Sequence, residues 1–323
     1  TVMLAYLGYG AWSLIIGSIV MQIVVLVLYF PLLRQQFPLY FYVRWSDVIG
    51  VVVYGGKIMS SRIIEYLSSS SPTFFSGLIV GQKETGLFSL ANTIAKVPLD
   101  KVGSIFNRII FPSISRIKED KGYSKTVYFK LHRTLLTIAV PILLGVALVS
   151  EDLVFVLFTE KWNAIIPLLQ LMCLINVLRV SEMVMPPLLE GLGMPEVVLR
   201  YNFLSLMLMP IACVVGLQWG LQGMIITWFF VYPVTYLYLI RKLSEILSFS
   251  LFEYIVSIRS VLFAAASMVA ALLILGDFFR DWLPLVRLMT MGIIGAVVYL
   301  GIFVLFFRHE VIEVKTALLS TRN

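Results

Sequence analysis

Charge is scarce in this sequence. Asp, Glu, Lys and Arg supply 13% of its 323 residues, against roughly a quarter in an ordinary soluble domain. Apolar residues take up 60% and the mean hydropathy is +0.95, where soluble proteins hold about 45–50% apolar residues. A chain this apolar would aggregate in water, so a water-soluble fold is excluded. Apolar runs recur along the whole length, so a cleaved leader does not account for the excess.

Cysteine and histidine are equally rare, two of each. Cys173 and Cys213 lie far apart in separate apolar runs and read as small packed hydrophobes. His132 and His309 are alone in their segments, so metal-ligand spacing is lacking. Neither a Gly-rich phosphate loop nor a nucleophile elbow occurs. A transporter is therefore expected in place of an enzyme, with no cofactor. The net charge of +7 sits in short clusters or inside apolar runs. No basic stripe interleaved with aromatics exists, so nucleic acid is not an expected partner.

What the sequence has is spans. A membrane-crossing helix needs about 20 mostly apolar residues, and nine stretches qualify: 11–33, 47–80, 85–111, 134–157, 164–189, 198–217, 221–240, 259–276 and 285–307. The fold class is an all-α integral membrane protein, a polytopic helix bundle. The second stretch is long for one crossing, at about 1.5 Å per residue against a core of ~30 Å. Ser68 to Ser71 followed by Pro72 predict a break or kink, hence one bent crossing or two short insertions. Gly77 and Gly81 have the spacing of a helix-packing pair. The prolines in or near spans read as tolerated kinks.

Basic residues cluster in 112–133 (Arg116, Lys118, Lys121, Lys125, Lys130, Arg133), in Arg241, Lys242 and Arg259, and in the tail with Arg308, Lys315 and Arg322. An even number of crossings separates these clusters. By the positive-inside rule all three are cytoplasmic, and so is the C-terminus. Trp162, Trp219 and Trp282 fall at the opposite helix ends, where interfacial aromatics belong.

Five cations lie deep in spans: Lys57, Arg62, Lys96, Lys101 and Arg179. Facing lipid, each would cost roughly 2.5–3.5 kcal/mol on the insertion scale, so they are expected to face an interior or a watery cavity. Arg108 and Arg287, nearer helix ends, can snorkel. Local partners are spaced for pairing: Arg62 with Glu65, Arg179 with Glu182, Lys96 with Asp100. Lys57 and Lys101 lack a local mate, leaving a surplus of positive charge. Asn92, Lys96, Asp100, Gly103 and Asn107 form a polar stripe on one helix. Such an interior suits a phosphate or pyrophosphate; Glu65 or Glu182 could instead titrate or bind a coupling cation. Each single pair could equally be structural glue between helices.

The stretch TGLFSLANTIAKVPLDKVGSIFNRIIFPSISR, Thr85 to Arg116, resembles a signature region of bacterial polysaccharide transporters. So do FTEKWNAIIPLLQLM (158–172), LLEGLGMPE (188–196) and LGYGAWSLIIG (7–17). These transporters, O-antigen flippases among them, belong to the multidrug/oligosaccharidyl-lipid/polysaccharide (MOP) superfamily. The resemblance implies fourteen helices in two six-helix lobes plus two. The nine here would be the sixth to the fourteenth, in keeping with a chain that opens at Thr1 without methionine. On that pattern residues 1–33 are the last helix of the N-terminal lobe, 47–241 the C-terminal lobe, 256–307 the two additional helices and 308–323 a cytoplasmic tail.

It further implies a multi-pass protein of the bacterial inner membrane that flips polyprenyl-pyrophosphate-linked oligosaccharide by alternating access. The oligosaccharide would be an O-antigen, capsule or exopolysaccharide unit. Partners in that reading are membrane lipid, H+ or Na+ as coupling ion, and other polysaccharide assembly proteins. Lys57, Arg62, Lys96 and Arg179 are the expected substrate cations; Glu65, Asp100, Glu182 and Lys101 are the coupling or pairing candidates. The alternatives are a multidrug exporter of the same superfamily and a non-transporting component of polysaccharide assembly.

Overall fold

In the computed structural model, residues 3, 6, 8–10, 12–36, 44–117 and 121–307 are described. Among them every regular element is helical and no strand occurs, as an all-α polytopic membrane protein requires. The helices are α1 (Trp12–Gln36), α2 (Trp45–Ile79), α3 (Gln82–Ile117), α4 (Lys121–Leu148), α5 (Ser150–Leu157), α6 (Ile166–Val180), α7 (Met185–Gly191), α8 (Pro195–Gly216), α9 (Gly220–Leu247), α10 (Leu251–Phe278) and α11 (Pro284–Phe306). A helix or helix pair thus occupies each of the nine predicted stretches. His309 and the tail 308–323 lie outside the described residues.

The chain forms two compact units, 1–53 and 54–323. In the first, α1 begins after a turn in which the Ser13 hydroxyl donates to the Gly10 carbonyl at 2.7 Å. Its apolar side chains are exposed on nearly every side, including Leu26, Leu28 and Tyr29, which is how a helix meets lipid.

In the second unit α8 and α9 pair, α10 and α11 pair, and α4 packs on α3, α6 and α10. Two buried apolar clusters result, one around Tyr128, Leu135, Met185 and Leu243, the other around Phe88, Leu169, Met172 and Trp228. Cys173 and Cys213 are buried there as free thiols, the small hydrophobes expected. His132 is buried too, its Nε2 3.1 Å from the Tyr254 hydroxyl. Large apolar groups such as Phe230, Phe252 and Ile274 point outward. An apolar exterior around polar interior groups suits a lipid solvent.

Five described stretches are long and apolar enough to cross a membrane: 124–148, 160–191, 195–247, 251–278 and 284–306. α2 and α3 fall outside that set, because polar side chains dilute them. Those side chains build the cavity described below.

Several local expectations need correction. The helix runs unbroken through Ser68–Pro72. Pro72 cannot donate to the Ser68 carbonyl, but the Ser71 hydroxyl does so at 2.7 Å, replacing the missing bond. Most of the basic 112–133 stretch is helical: α3 continues to Ile117 and α4 starts at Lys121, since Lys and Arg propagate helices well. The stretch 134–157 is divided at Val149 into α4 and α5. Gly81 is not a packing glycine either; at φ +91° it makes the α2–α3 turn, a conformation costly for any side chain.

Arg287 does not snorkel alone. Its Nε lies 2.6 Å from Asp152 Oδ2 and its Nη2 3.9 Å from Glu151 Oε2, which clamps α11 to α5. A second clamp joins α4 to α10, Lys125 to Glu253 at 2.8 Å. Glu253 also closes a capping box with Ser250 that starts α10. The side chains of Asn107 and Arg108 lie outside the described set.

Candidate functional site

The predicted span 164–189 is interrupted. α6 stops at Val180 and α7 starts at Met185. Between them the backbone makes tight three-residue bonds: Glu182 N to Arg179 O at 3.0 Å, Met183 N to Val180 O at 3.3 Å, Met185 N to Glu182 O at 3.0 Å. Pro186 and Pro187 cause it. Their nitrogens donate nothing to the carbonyls of residues 182 and 183, and proline disfavours helix in the residue before it. These two prolines end a helix, where a tolerated kink was expected. Arg179 stands in the last turn of α6 and Glu182 within the break.

A cavity of about 490 Å³ opens beside this break. α2 contributes Arg62, Glu65, Ser68 and Ser69; α3 contributes Asn92, Lys96 and Asp100. The break contributes Arg179 and Glu182, α8 contributes Tyr201, Asn202 and Ser205, and α9 contributes Trp228 and Tyr232. Six of the eight candidate residues therefore share one cavity. Lys57 and Lys101 do not line it. The polar stripe on α3 enters with Asn92, Lys96 and Asp100. Gly103 is instead covered by Met183, whose Cε would stand 2.6 Å from an added Cβ.

Only one of the three local ion pairs forms. Arg62 meets Glu65 at 3.0 Å. Among the described residues neither Lys96–Asp100 nor Arg179–Glu182 closes to contact; Arg179 and Glu182 each turn to a tyrosine of another helix. Arg179 lies over the Tyr232 ring at 5.3 Å, a cation–π contact. Glu182 Oε2 accepts from the Tyr201 hydroxyl at 2.8 Å. Its Oε1 is buried and accepts no hydrogen bond among the described residues. Lys96 and Arg179 also make no hydrogen bond with the described residues, so their N–H groups remain available to an incoming acceptor.

The surplus of positive charge is absent from the lining. Arg62, Lys96 and Arg179 face Glu65, Asp100 and Glu182, three against three. The surplus came from Lys57 and Lys101. Lys57 has a partner distant in sequence, Glu196, at 3.5 Å.

Sequence reasoning missed how α2 is held. Tyr54, Lys57, Ser61 and Ser68 recur at spacings of three, four and seven, one helical face. Against that face stand α7 and α8. Arg62 reaches Glu190 at 2.9 Å and the Tyr54 hydroxyl donates to the Glu190 carbonyl at 2.5 Å. Asn202 Nδ2 donates to Ser61 Oγ at 2.8 Å and to Ser61 O at 3.1 Å. Ser68 and Ser205 hydroxyls meet at 2.9 Å. A polar seam thus joins one cavity wall to the next. Its signal was present in Glu190 and Glu196, two acids in an otherwise apolar stretch.

The family model described as polysaccharide biosynthesis protein matches residues 1–167, just over half of the chain. The chain belongs to that family. Relatives named for polysaccharide biosynthesis agree. The lipopolysaccharide biosynthesis protein WzxC of Escherichia coli (strain K12) is 29% identical over 218 residues, 68% of this chain and 44% of that protein. The teichuronic acid biosynthesis protein TuaB of Bacillus subtilis (strain 168) is 22% identical over 79% of the chain and 53% of that protein. The succinoglycan biosynthesis transport protein ExoT of Rhizobium meliloti (strain 1021) is 24% identical over 59% and 38%. This member of the polysaccharide biosynthesis family spans about half the length of the curated relatives it matches. No solved structure matches it.

Among the described residues no group of three or more His, Cys, Asp or Glu is placed to hold a metal ion. Cations, acids and phenols line the site, groups that can bind ions and transfer protons.

Proposed function

We propose that this chain moves a lipid-linked oligosaccharide across the bacterial inner membrane, the pyrophosphate of the carrier being held in the cavity at the α6–α7 break. The observation that carries the reading is the pair Lys96 and Arg179. Both cations face the cavity, and neither spends a hydrogen bond on the described residues. A phosphate oxygen gains charge-assisted bonds from such donors. The sugar would follow the aqueous cavity while the acyl chain stays in lipid.

A helix interrupted beside a cavity also fits transport. Discontinuous membrane helices commonly form substrate sites, and alternating access rocks one bundle against another around them. In this reading the protein is a transporter and not an enzyme, and Arg62 steadies the α2 wall through Glu65 and Glu190. The 112–133 segment and the C-terminus are cytoplasmic. H+ or Na+ supplies the driving force. The polysaccharide family match and the names of WzxC and ExoT favour this over a multidrug exporter of the same superfamily.

The test is complementation. The gene encoding this chain is expressed in a strain lacking its polysaccharide flippase, and surface polymer and cytoplasm-facing lipid-linked intermediate are measured. Restored polymer with loss of the intermediate is the expected result. Normal insertion without restoration across several donor sugars would refute the proposal.

A further inference from the structure

We infer that Glu182 is a proton-binding site whose protonation admits the anion, so that one proton enters the cavity with each anionic headgroup. This rests on the anion-cavity reading above and adds the group that couples it to protons.

The cavity acids are not equivalent. Glu65 is engaged by Arg62 at 3.0 Å and is half exposed. Asp100 is exposed at the cavity edge. Glu182 is 7% exposed, accepts one hydrogen bond, from Tyr201 at 2.8 Å, and keeps Oε1 buried without a partner among the described residues. A buried carboxylate oxygen without a donor is costly, and adding a proton there turns it into a donor. Glu182 itself lines the cavity.

The charge balance gives the proton a role. With Glu182 ionised the lining is neutral, three cations against three acids. An entering phosphate then meets a carboxylate beside the very cations it needs. Protonating Glu182 removes that repulsion and leaves one positive charge in excess. Binding of anion and binding of proton therefore favour one another, and linkage makes the effect reciprocal.

The groups facing Glu182 are consistent with that assignment. On its own segment stands Arg179, turned over Tyr232 of α9. Tyr201 comes from α8 and Tyr236 from α9, the latter bonded to Tyr254 of α10. Behind the break, His132 of α4 is bonded to Tyr254 of α10. Lys96 and Asp100 of α3, and Arg62 and Glu65 of α2, face it across the cavity. None of these cations contacts Glu182 directly.

The experiment is titration calorimetry of the chain in detergent with farnesyl pyrophosphate, run in two buffers of different ionisation enthalpy. The wild type is expected to take up close to one proton per ligand bound. Its affinity should fall towards about tenfold per pH unit as pH rises, the slope of one linked proton. Glu182→Gln should bind with no proton uptake and little pH dependence, and Glu65→Gln, though it also changes the lining charge, should keep the uptake of one proton. If Glu182→Gln does not fold, Glu182→Asp keeps the carboxyl and should keep the uptake. Wild-type binding without proton uptake, uptake surviving in Glu182→Gln, or uptake lost in a folded Glu182→Asp would each overturn the inference. Failure of the wild type to bind farnesyl pyrophosphate at all would overturn the anion cavity itself, a result distinct from binding without protons.

Discussion

Removing Arg287 tests the reading of the α5–α11 clamp in a way that yields a number. Asp152 is 5% exposed and its Oδ2 receives the Arg287 Nε at 2.6 Å, the arginine side chain being 21% exposed. Taking away one partner of a buried pair leaves the other charge without compensation and costs about 3–5 kcal/mol. Arg287 keeps some access to its surroundings, so Arg287→Met is expected near the lower end, about 3 kcal/mol. Asp152→Ala should cost less, about 1–2 kcal/mol, because the freed guanidinium can turn to Glu151, now 3.9 Å away. The double variant should cost less than the two singles added, by about 1–2 kcal/mol. Glu151→Gln is the internal control. Glu151 is 69% exposed and should change stability by under about 1 kcal/mol. Reversible denaturation in mixed micelles reads all four. Losses that add to within about 0.5 kcal/mol would show that the 2.6 Å contact is not an energetic pair, and the clamp would be refuted.

Other outcomes follow from the cavity and its walls. Lys96→Gln with Arg179→Gln should abolish polymer export at normal membrane insertion, while Lys57→Gln, outside the lining, should leave most of it. Export surviving the first pair, or lost with Lys57→Gln alone, would contradict the assignment. Asn202→Leu removes both donors to Ser61 and should cost about 1–3 kcal/mol by the same denaturation assay; no change would mean the seam does not hold α2. Gly223→Val forces a side chain to within 2.5 Å of the Gly216 carbonyl oxygen. Thermal denaturation in detergent should show a loss of at least about 1–3 kcal/mol from that overpacking. Cys173 and Cys213, both buried, should resist maleimide in native membranes and react only after unfolding; rapid labelling would contradict the packing of α6 and α8.

Much of the fold was legible in the residue order. Twenty-odd apolar residues in succession have one stable arrangement in lipid, a helix whose backbone satisfies itself, so nine stretches could be read as helical from hydropathy alone. Depth in a span likewise singled out Arg62, Lys96 and Arg179, because a charge far from water has to find an interior. Where spacing along one helix was asked to name partners, it succeeded once, for Arg62 and Glu65. α6 ends between Arg179 and Glu182, and each turns to a tyrosine of another helix instead. Lys96 and Asp100 are on one helix but stay apart.

The apolar composition and the depth of the charges, then, determined by themselves a helical membrane protein with a polar interior. Backbone hydrogen bonding and the cost of burying charge act on each segment separately and leave their mark in the order of residues. The pairing of Lys57 with Glu196 and of Arg62 with Glu190, the neutrality of the lining and the isolation of the Glu182 oxygen were decided only by tertiary packing. They join atoms more than a hundred residues apart, or depend on a helix break at Pro186 and Pro187 that turns side chains out of register. A sequence states which charges must be buried; the packing of helices decides which of them meet.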